Sequence, residues 1–546
     1  MFHILTFTVF NGFIFLVGRG VVYLIDYFYN NEETEEIKLF NIPLNYFYII
    51  VGLFYIGNFT FLYNFFLKTN SVFFKILLFL VLLFNFRKKI NFNFNFLNFF
   101  NFLIIPSILA ISTLEMGLAF DAGLYHLNNQ LWIRESNIPI GLSNLHYRYG
   151  FSSIIDYISS NFWLDGKFYL LHYVNLSFIA SFISIISFNI FINKDSFLKI
   201  SSYFIILFGI LDNFGFGGGR NGFFDIEAVT KQDTPFGILF YLTNIFLVYA
   251  LLNKNFSSYE IFYLSLFILF SIQMRIFGVA SLILYFTVIF INKSLSFKRI
   301  YTVLPTIVIG LFWIIKNLII TGCLFFPVSV TCFKSLSWHD TRSSLDTMKI
   351  IKDFHLGYYF GTPITSWYYD WYAKEINSIV IRNFLISLLL IFFFSLIFIK
   401  RQKRDISKKE ITIVSSYLIF IILLWIISSP GIRLGLGIFT LVIACIALIF
   451  YELEFRLKIL DNKVILYSLI ILSTLLMPRI SNYSSLIKSP LYVNQLEAPS
   501  ANYISKDGYG VYPEEGSQCW VKLDCVQNEK YIMKTNKYIF NIFSIK

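Results

Sequence analysis

Residues 379–409 read IVIRNFLISLLLIFFFSLIFIKRQKRDISKK. The apolar part, 379–399, is long enough to cross a bilayer as a helix, which takes about 20 residues. The basic run Lys400–Lys409 marks the membrane side on which Lys and Arg collect. The rest of the chain repeats this unit. Of 546 residues, 57% are hydrophobic, 20% aromatic and only 14% charged, against about 25% charged in soluble domains. Working outward, comparable windows lie at 3–28, 44–67, 71–86, 99–118, 167–192, 199–213, 236–253, 259–274, 276–292, 300–320, 411–428, 434–451 and 463–478. They predict an all-α polytopic membrane protein with about 12–14 transmembrane helices, and residues 3–28 read as a retained helix rather than a cleaved leader.

The formal charge of +12 does not point to nucleic acid, because the cations are spread over short connectors: Arg87-Lys88-Lys89, Lys194 and Lys199, Lys254, Lys293 to Arg299, Lys400 to Lys409 and Arg456 to Lys463. Assigned to the cytoplasm, these connectors alternate with longer, less basic ones. The alternation puts 119–166, 212–235, 321–378 and the tail 479–546 on the outer face. It also predicts three regions: N-terminal transmembrane helices over 1–98, a transmembrane core with the outer loops over 99–478, and an extracytoplasmic tail over 479–546. Outside, disulfides persist, and Cys323/Cys332 and Cys519/Cys525 are spaced to close short loops. Cys445 falls inside a span and reads as a small packing residue.

The first outer loop, DAGLYHLNNQLWIRESNIPIGLSNLHYRYGFSS at 121–153, holds the densest polar cluster. As a helix, 121–133 carries an apolar stripe of Leu124, Leu127 and Leu131. Asp121, Tyr125, Asn128 and Trp132 lie on a second face, and His126, Asn129 and Gln130 on a third. Read as an extended strand, NLHYRYG points Asn144, His146 and Arg148 one way. A carboxylate at Asp121 suits a general base that takes a proton from an acceptor hydroxyl, with His126 beside it. Arg148 and His146 suit a phosphate leaving group. Taken singly these residues are ordinary interfacial aromatics and caps; clustered at membrane level they predict a functional site.

The second outer loop adds Arg220 after a glycine run that lets backbone N–H groups approach an anion, and it returns a carboxylate, Asp233, to the membrane surface. The third holds SWHDTRSS, and Arg433 is placed to line the same cleft. No H-E-x-x-H or C-x-x-C spacing occurs.

Several motifs are similar to a family of uncharacterised bacterial multi-pass membrane proteins. They are DAGLYH at 121–126, NLHYRYGFSS at 144–153, GCLFFPVxxTCF at 322–333 and QCW with Cys525. The layout, an Asp opening the first large outer loop and a second acid in the next, resembles GT-C superfamily glycosyltransferases. That resemblance implies a bacterial inner-membrane enzyme that transfers sugar from a polyprenyl-phosphate-linked donor to an envelope glycan or glycolipid. Asp121 would then be base or metal contact, and a divalent cation, Mg or Mn, is the one cofactor it admits. Membrane lipids are the further partner, with no nucleic acid. Alternatives are a polysaccharide polymerase or ligase relying on outer-face Arg and His, a transporter or flippase, and a structural envelope protein whose tail binds a partner.

Overall fold

The computed structural model describes residues 2–28, 38–87, 95–151, 153–213, 229, 231–254, 257–292, 297–356, 367–399, 408–428, 430–449, 462–489, 491, 493–505, 507–527, 530–537 and 540–545. The glycine run 215–219, Arg220 and the basic run 400–407 lie outside these residues.

Among the described residues the chain is predominantly helical, with three small antiparallel hairpins at Lys38–Leu39/Ile42–Pro43, Tyr503–Ser505/Val511–Pro513 and Ile532–Lys537/Phe540–Ile545. Among the described residues, eight helices are long and apolar enough to cross a membrane. A ninth counts if Lys463–Leu475 and Ile480–Lys488, bent by 87°, form one span. Four more apolar helices are shorter: Val72–Phe86, Ser258–Met274, Ile276–Ile291 and Ile432–Leu448. The difference from a count of 12–14 arises at these short elements and at the helix Ser196–Asn213, which is not among the eight.

Burial grades across the bundle. Tyr169–Phe191 and Asp233–Asn253 form its centre, each with 94% of its apolar window buried, whereas Tyr301–Thr321 and Lys408–Ser428 have 22% buried and present apolar flanks outward. The central helices can be enclosed because small residues recur along them: Ser177, Ala180, Ser181, Ser184 and Ser187 are all buried and let neighbouring backbones approach. Several buried polar side chains pair with one another within the bundle, as an apolar surrounding favours. Asn58 and Gln273 exchange amide hydrogen bonds of 3.2 and 2.6 Å, and Asn244 donates to Ser281 at 3.0 Å while accepting from Tyr417 at 2.6 Å. The first two helices, Phe2–Phe28 and Tyr48–Asn64, cross at Gly18 and Gly52; a Cβ on Gly52 would meet the Ile14 carbonyl oxygen at 2.5 Å. These N-terminal helices are part of the core, since His3 bonds Tyr173 at 3.0 Å and Gly57 packs on Ile154 and Ile158.

The connectors gather at two opposite ends. At one, Phe40 N–H donates to Glu260 at 3.0 Å, Asn41 to Tyr249 at 2.7 Å, and Lys254 pairs with Glu410 at 3.3 Å. At the other lie residues 64–70, 121–151, 153–168, the starts of Tyr169–Phe191 and Asp233–Asn253, Arg275, Thr321, Arg433 and the described residues of the tail. Asn64 and Thr69 bond Ile133 there, and Trp371 bonds Pro430. Both cysteine pairs are at bonding distance, with S–S 2.04 Å for Cys323–Cys332 and 2.01 Å for Cys519–Cys525, and Cys445 is free and buried.

Candidate anion site at one end of the bundle

Leu118 and Val229 form a parallel bridge just ahead of Asp121 and Asp233, which brings the first two large loops together. Asp121 starts a π turn, Ala122–His126, that runs into the helix Leu127–Glu135. Asp233 starts the central helix Asp233–Asn253, where the positive helix end favours a carboxylate.

Both carboxylates are held by cations. Arg148 Nη1 lies 2.7 Å from Asp121 Oδ1, and Lys231 Nζ lies 3.9 Å from Asp121 Oδ2. Arg275 Nη2 bonds Asp233 Oδ1, and Arg433 Nη1 lies 3.6 Å from Asp233 Oδ2. The two groups are one cluster: Lys231 acts electrostatically on Asp233 as well, and Arg275 and Arg148 both act on Tyr125. Lys231 is fixed through its carbonyl, which accepts from Asn175 of the central helix at 2.6 Å. Four cationic side chains therefore meet two carboxylates, an excess suited to a phosphate.

The cluster is reachable, since the Arg148 and Asp121 side chains are 30% and 29% exposed. Arg148 lies over the rings of Tyr125 and Tyr147, at 5.5 and 5.7 Å, and its Nε donates to the Tyr147 hydroxyl at 3.2 Å. Burial opposes the Arg148 charge, but Tyr147 and the Asp121 carboxylate outweigh it and hold its pKa above the ordinary value. Burial, with the Asp121 charge, raises the Tyr125 phenol.

The remaining site residues read from the sequence fall elsewhere. NLHYRYG is not extended: Leu142–Asn144 and Tyr147–Phe151 are 3-10 turns, so Asn144, His146 and Arg148 do not share a strand face. Asn144 donates to the Trp338 and Phe543 carbonyls, both at 2.9 Å, and ties loops together. His146 is buried, and its Nδ1 accepts the Arg148 N–H at 3.0 Å. Burial and then the Arg148 charge push its pKa down to about 3, so it is a neutral acceptor that orients Arg148 rather than a cation for phosphate. His126, read as catalytic, belongs to a buried node: Asp156 accepts from His126 Nδ1 at 3.0 Å, Asn129 at 3.0 Å and Gln130 at 3.3 Å. Behind it, buried Lys316 interacts electrostatically with Asp156 and lies 3.6 Å from the Trp313 ring centre. Arg220 lies outside the described residues. SWHDTRSS is a brace, with Asp340 holding Lys530 of the tail at 2.6 Å.

Sequence reasoning missed Lys231, Arg275 and Asp156 as site residues. Arg275 is the only charge between Ile261 and Ile291, a signal that could have found it. Asp156 likewise stands alone in SSIIDYISS.

A divalent cation fits poorly. It would displace guanidinium groups and sit among four positive side chains, which themselves supply the neutralising charge. Among the described residues, the one His/Cys/Asp/Glu group close enough to hold a metal is Cys323, Cys332 and His339, and both sulfurs are spent in the disulfide.

Fold and site together define an all-α chain whose helices are suited to cross a membrane, with an arginine-rich candidate anion site at one end. Residues 1–440 match the family described as a domain of unknown function, DUF8201, and the chain belongs to that family. No curated protein and no solved structure matches.

Proposed function

We propose that the protein is a membrane glycosyltransferase of the bacterial inner membrane, with the anion-site end outside the cytoplasm. It transfers a sugar from a polyprenyl-phosphate-linked donor to an envelope glycan or glycolipid. The observation that supports this is the convergence of Arg148, Lys231, Arg275 and Arg433 on two carboxylates at the end of an apolar bundle. A lipid-linked phosphate needs cations at that depth, and a transferred sugar needs a base beside them. In this reading the acceptor hydroxyl attacks the anomeric carbon and its proton passes to Asp121. The bond from that carbon to the phosphate oxygen breaks, and the phosphate leaves with the electron pair, held by the four cations. Arg148 exchanges Asp121 for the phosphate as the donor enters, freeing the carboxylate.

The test is complementation of a deletion strain with Asp121→Asn, at membrane abundance equal to wild type. An envelope-glycan profile matching the deletion strain is expected; full complementation overturns the base assignment. The excess of cations over carboxylates also suits a polymerase or ligase that works by charge alone. That reading predicts that Arg148→Ala abolishes the glycan while Asp121→Asn spares it.

A further inference from the structure

The π turn Ala122–His126 is the element that aims Asp121 and Tyr125, and such single-turn π segments within a helix are rare and concentrate at functional sites. Here it is braced from outside by the C-terminal tail, which lies beyond the residues matched by the family. The braces come from the loop closed by Cys519–Cys525 and its flanks. Trp520 N–H donates to the Gly123 carbonyl at 2.8 Å, and Gln527 Nε2 donates to the Leu124 carbonyl at 3.0 Å. Gln518 donates to the Phe120 carbonyl at 2.9 Å, and Asn128, one turn on, donates back to the Lys522 carbonyl at 2.6 Å. The same Gln527 bonds the Leu145 carbonyl through its backbone N–H at 3.1 Å, so one residue ties the turn carrying Asp121 to the segment carrying Arg148.

Two further features mark this as a fitted contact. The Trp520 indole fills the space over Gly123, where a Cβ would meet the ring at 2.7 Å. Trp520 itself has φ +46°, a left-handed backbone that a bulky residue adopts only when its surroundings enforce it.

We propose that the Cys519–Cys525 loop is a template that holds the π turn in its wide form and so sets the Asp121–Arg148 geometry, with Trp520 and Gln527 as its positioning residues. The proposal needs the anion site but not the transfer reaction.

The test uses the full chain in nanodiscs, with two measurements: hydrogen exchange of amides 122–127 and affinity for inorganic pyrophosphate. Trp520→Ala and Gln527→Ala are each expected to speed exchange and weaken pyrophosphate binding by about tenfold, the worth of a lost hydrogen bond or anchor. Trp520→Phe, which keeps an aromatic ring over Gly123, retains most of both. Gly123→Ala reproduces the Trp520→Ala loss by pushing the indole out, and the double variant Gly123→Ala/Trp520→Ala is no worse than Trp520→Ala alone. Exchange and affinity unchanged in Trp520→Ala and Gln527→Ala, or losses that simply add in the double variant, would overturn the template. If the wild-type protein binds no pyrophosphate, the anion-site reading fails, and the exchange data still decide whether the tail holds the turn.

Discussion

Asp121 and Asp156 stand in one loop and differ in what surrounds them. The Asp121 side chain is partly exposed and pairs with Arg148; that of Asp156 is 2% exposed and has three neutral or histidine donors committed to it. Removing a partly exposed pair costs little, whereas removing the acceptor of a buried node strands its donors. Asp121→Ala is therefore expected to shift stability by less than about 1 kcal/mol, and Asp156→Ala to lose about 3–5 kcal/mol, both measured by thermal melting in detergent. Equal shifts would show the two carboxylates to be alike. His146 adds a pH dependence. Its folded pKa of about 3 lies below the ordinary 6.5, so the unfolded chain takes the proton first. The stability it contributes is complete above pH 6.5 and drains away as pH falls toward 3. A melting curve followed over that window should slope downward on acidification in wild type and run flatter in His146→Gln; parallel curves would remove His146 as the cause. The dense polar loop made Asp121 and Arg148 stand out in the sequence, whereas Lys231 and Arg275, which join them in space, come from other stretches and were not legible there. His126 misled for a physical reason: nothing in DAGLYH tells whether the ring turns to the open cluster or to a carboxylate thirty residues on.

At the scale of elements, alternation in NLHYRYG suggested a strand, yet hydrogen bonds from Asn144 to Gly141 and from Tyr149 to His146, at 2.9 and 3.0 Å, close 3-10 turns instead. Period-two polarity is a weak signal when the loop has no neighbouring strand to pair with. The helix over 121–133 was legible from its three-faced pattern, and its faces do separate: His126, Asn129 and Gln130 meet Asp156, while Asn128 and Trp132 meet the tail. What the pattern could not carry is the π turn at its start, which depends on partners hundreds of residues away. The crossing of Phe2–Phe28 with Tyr48–Asn64 is a second device of this kind. Gly52→Ala would place its methyl 2.5 Å from the Ile14 carbonyl oxygen and 3.0 Å from Gly18 N, forcing the helices apart. A loss of about 1–3 kcal/mol is expected from such overpacking, seen as a lower melting temperature and reduced membrane yield. A Gly52→Ala protein as stable as wild type would mean that the helices do not meet there in the membrane.

For the whole molecule, composition alone made the class legible, whereas the number of spans was not, because several helices are too short for a hydropathy window to separate from packing elements. The alternation of connectors is the firmer global reading, and thiol labelling checks it with little background, since four cysteines are bridged and Cys445 is buried. On intact cells a membrane-impermeant maleimide is expected to label Asp165→Cys and to leave Lys254→Cys untouched until the cells are opened. The opposite pattern would turn the anion site toward the cytoplasm and end the extracytoplasmic donor reading; labelling of both from one side would break the alternation. The tail's seat carries one more consequence. Ile140 N–H bonds Asn541 at 2.9 Å, Phe543 N–H bonds Ile140 at 2.9 Å, and Asn144 bonds the Phe543 carbonyl, a partner 399 residues later in the chain. During synthesis, every helix of the bundle can enter the bilayer before those last strands leave the ribosome. A chain released short of the tail would be inserted in the membrane yet lack the Trp520 and Gln527 contacts to the turn that follows Asp121.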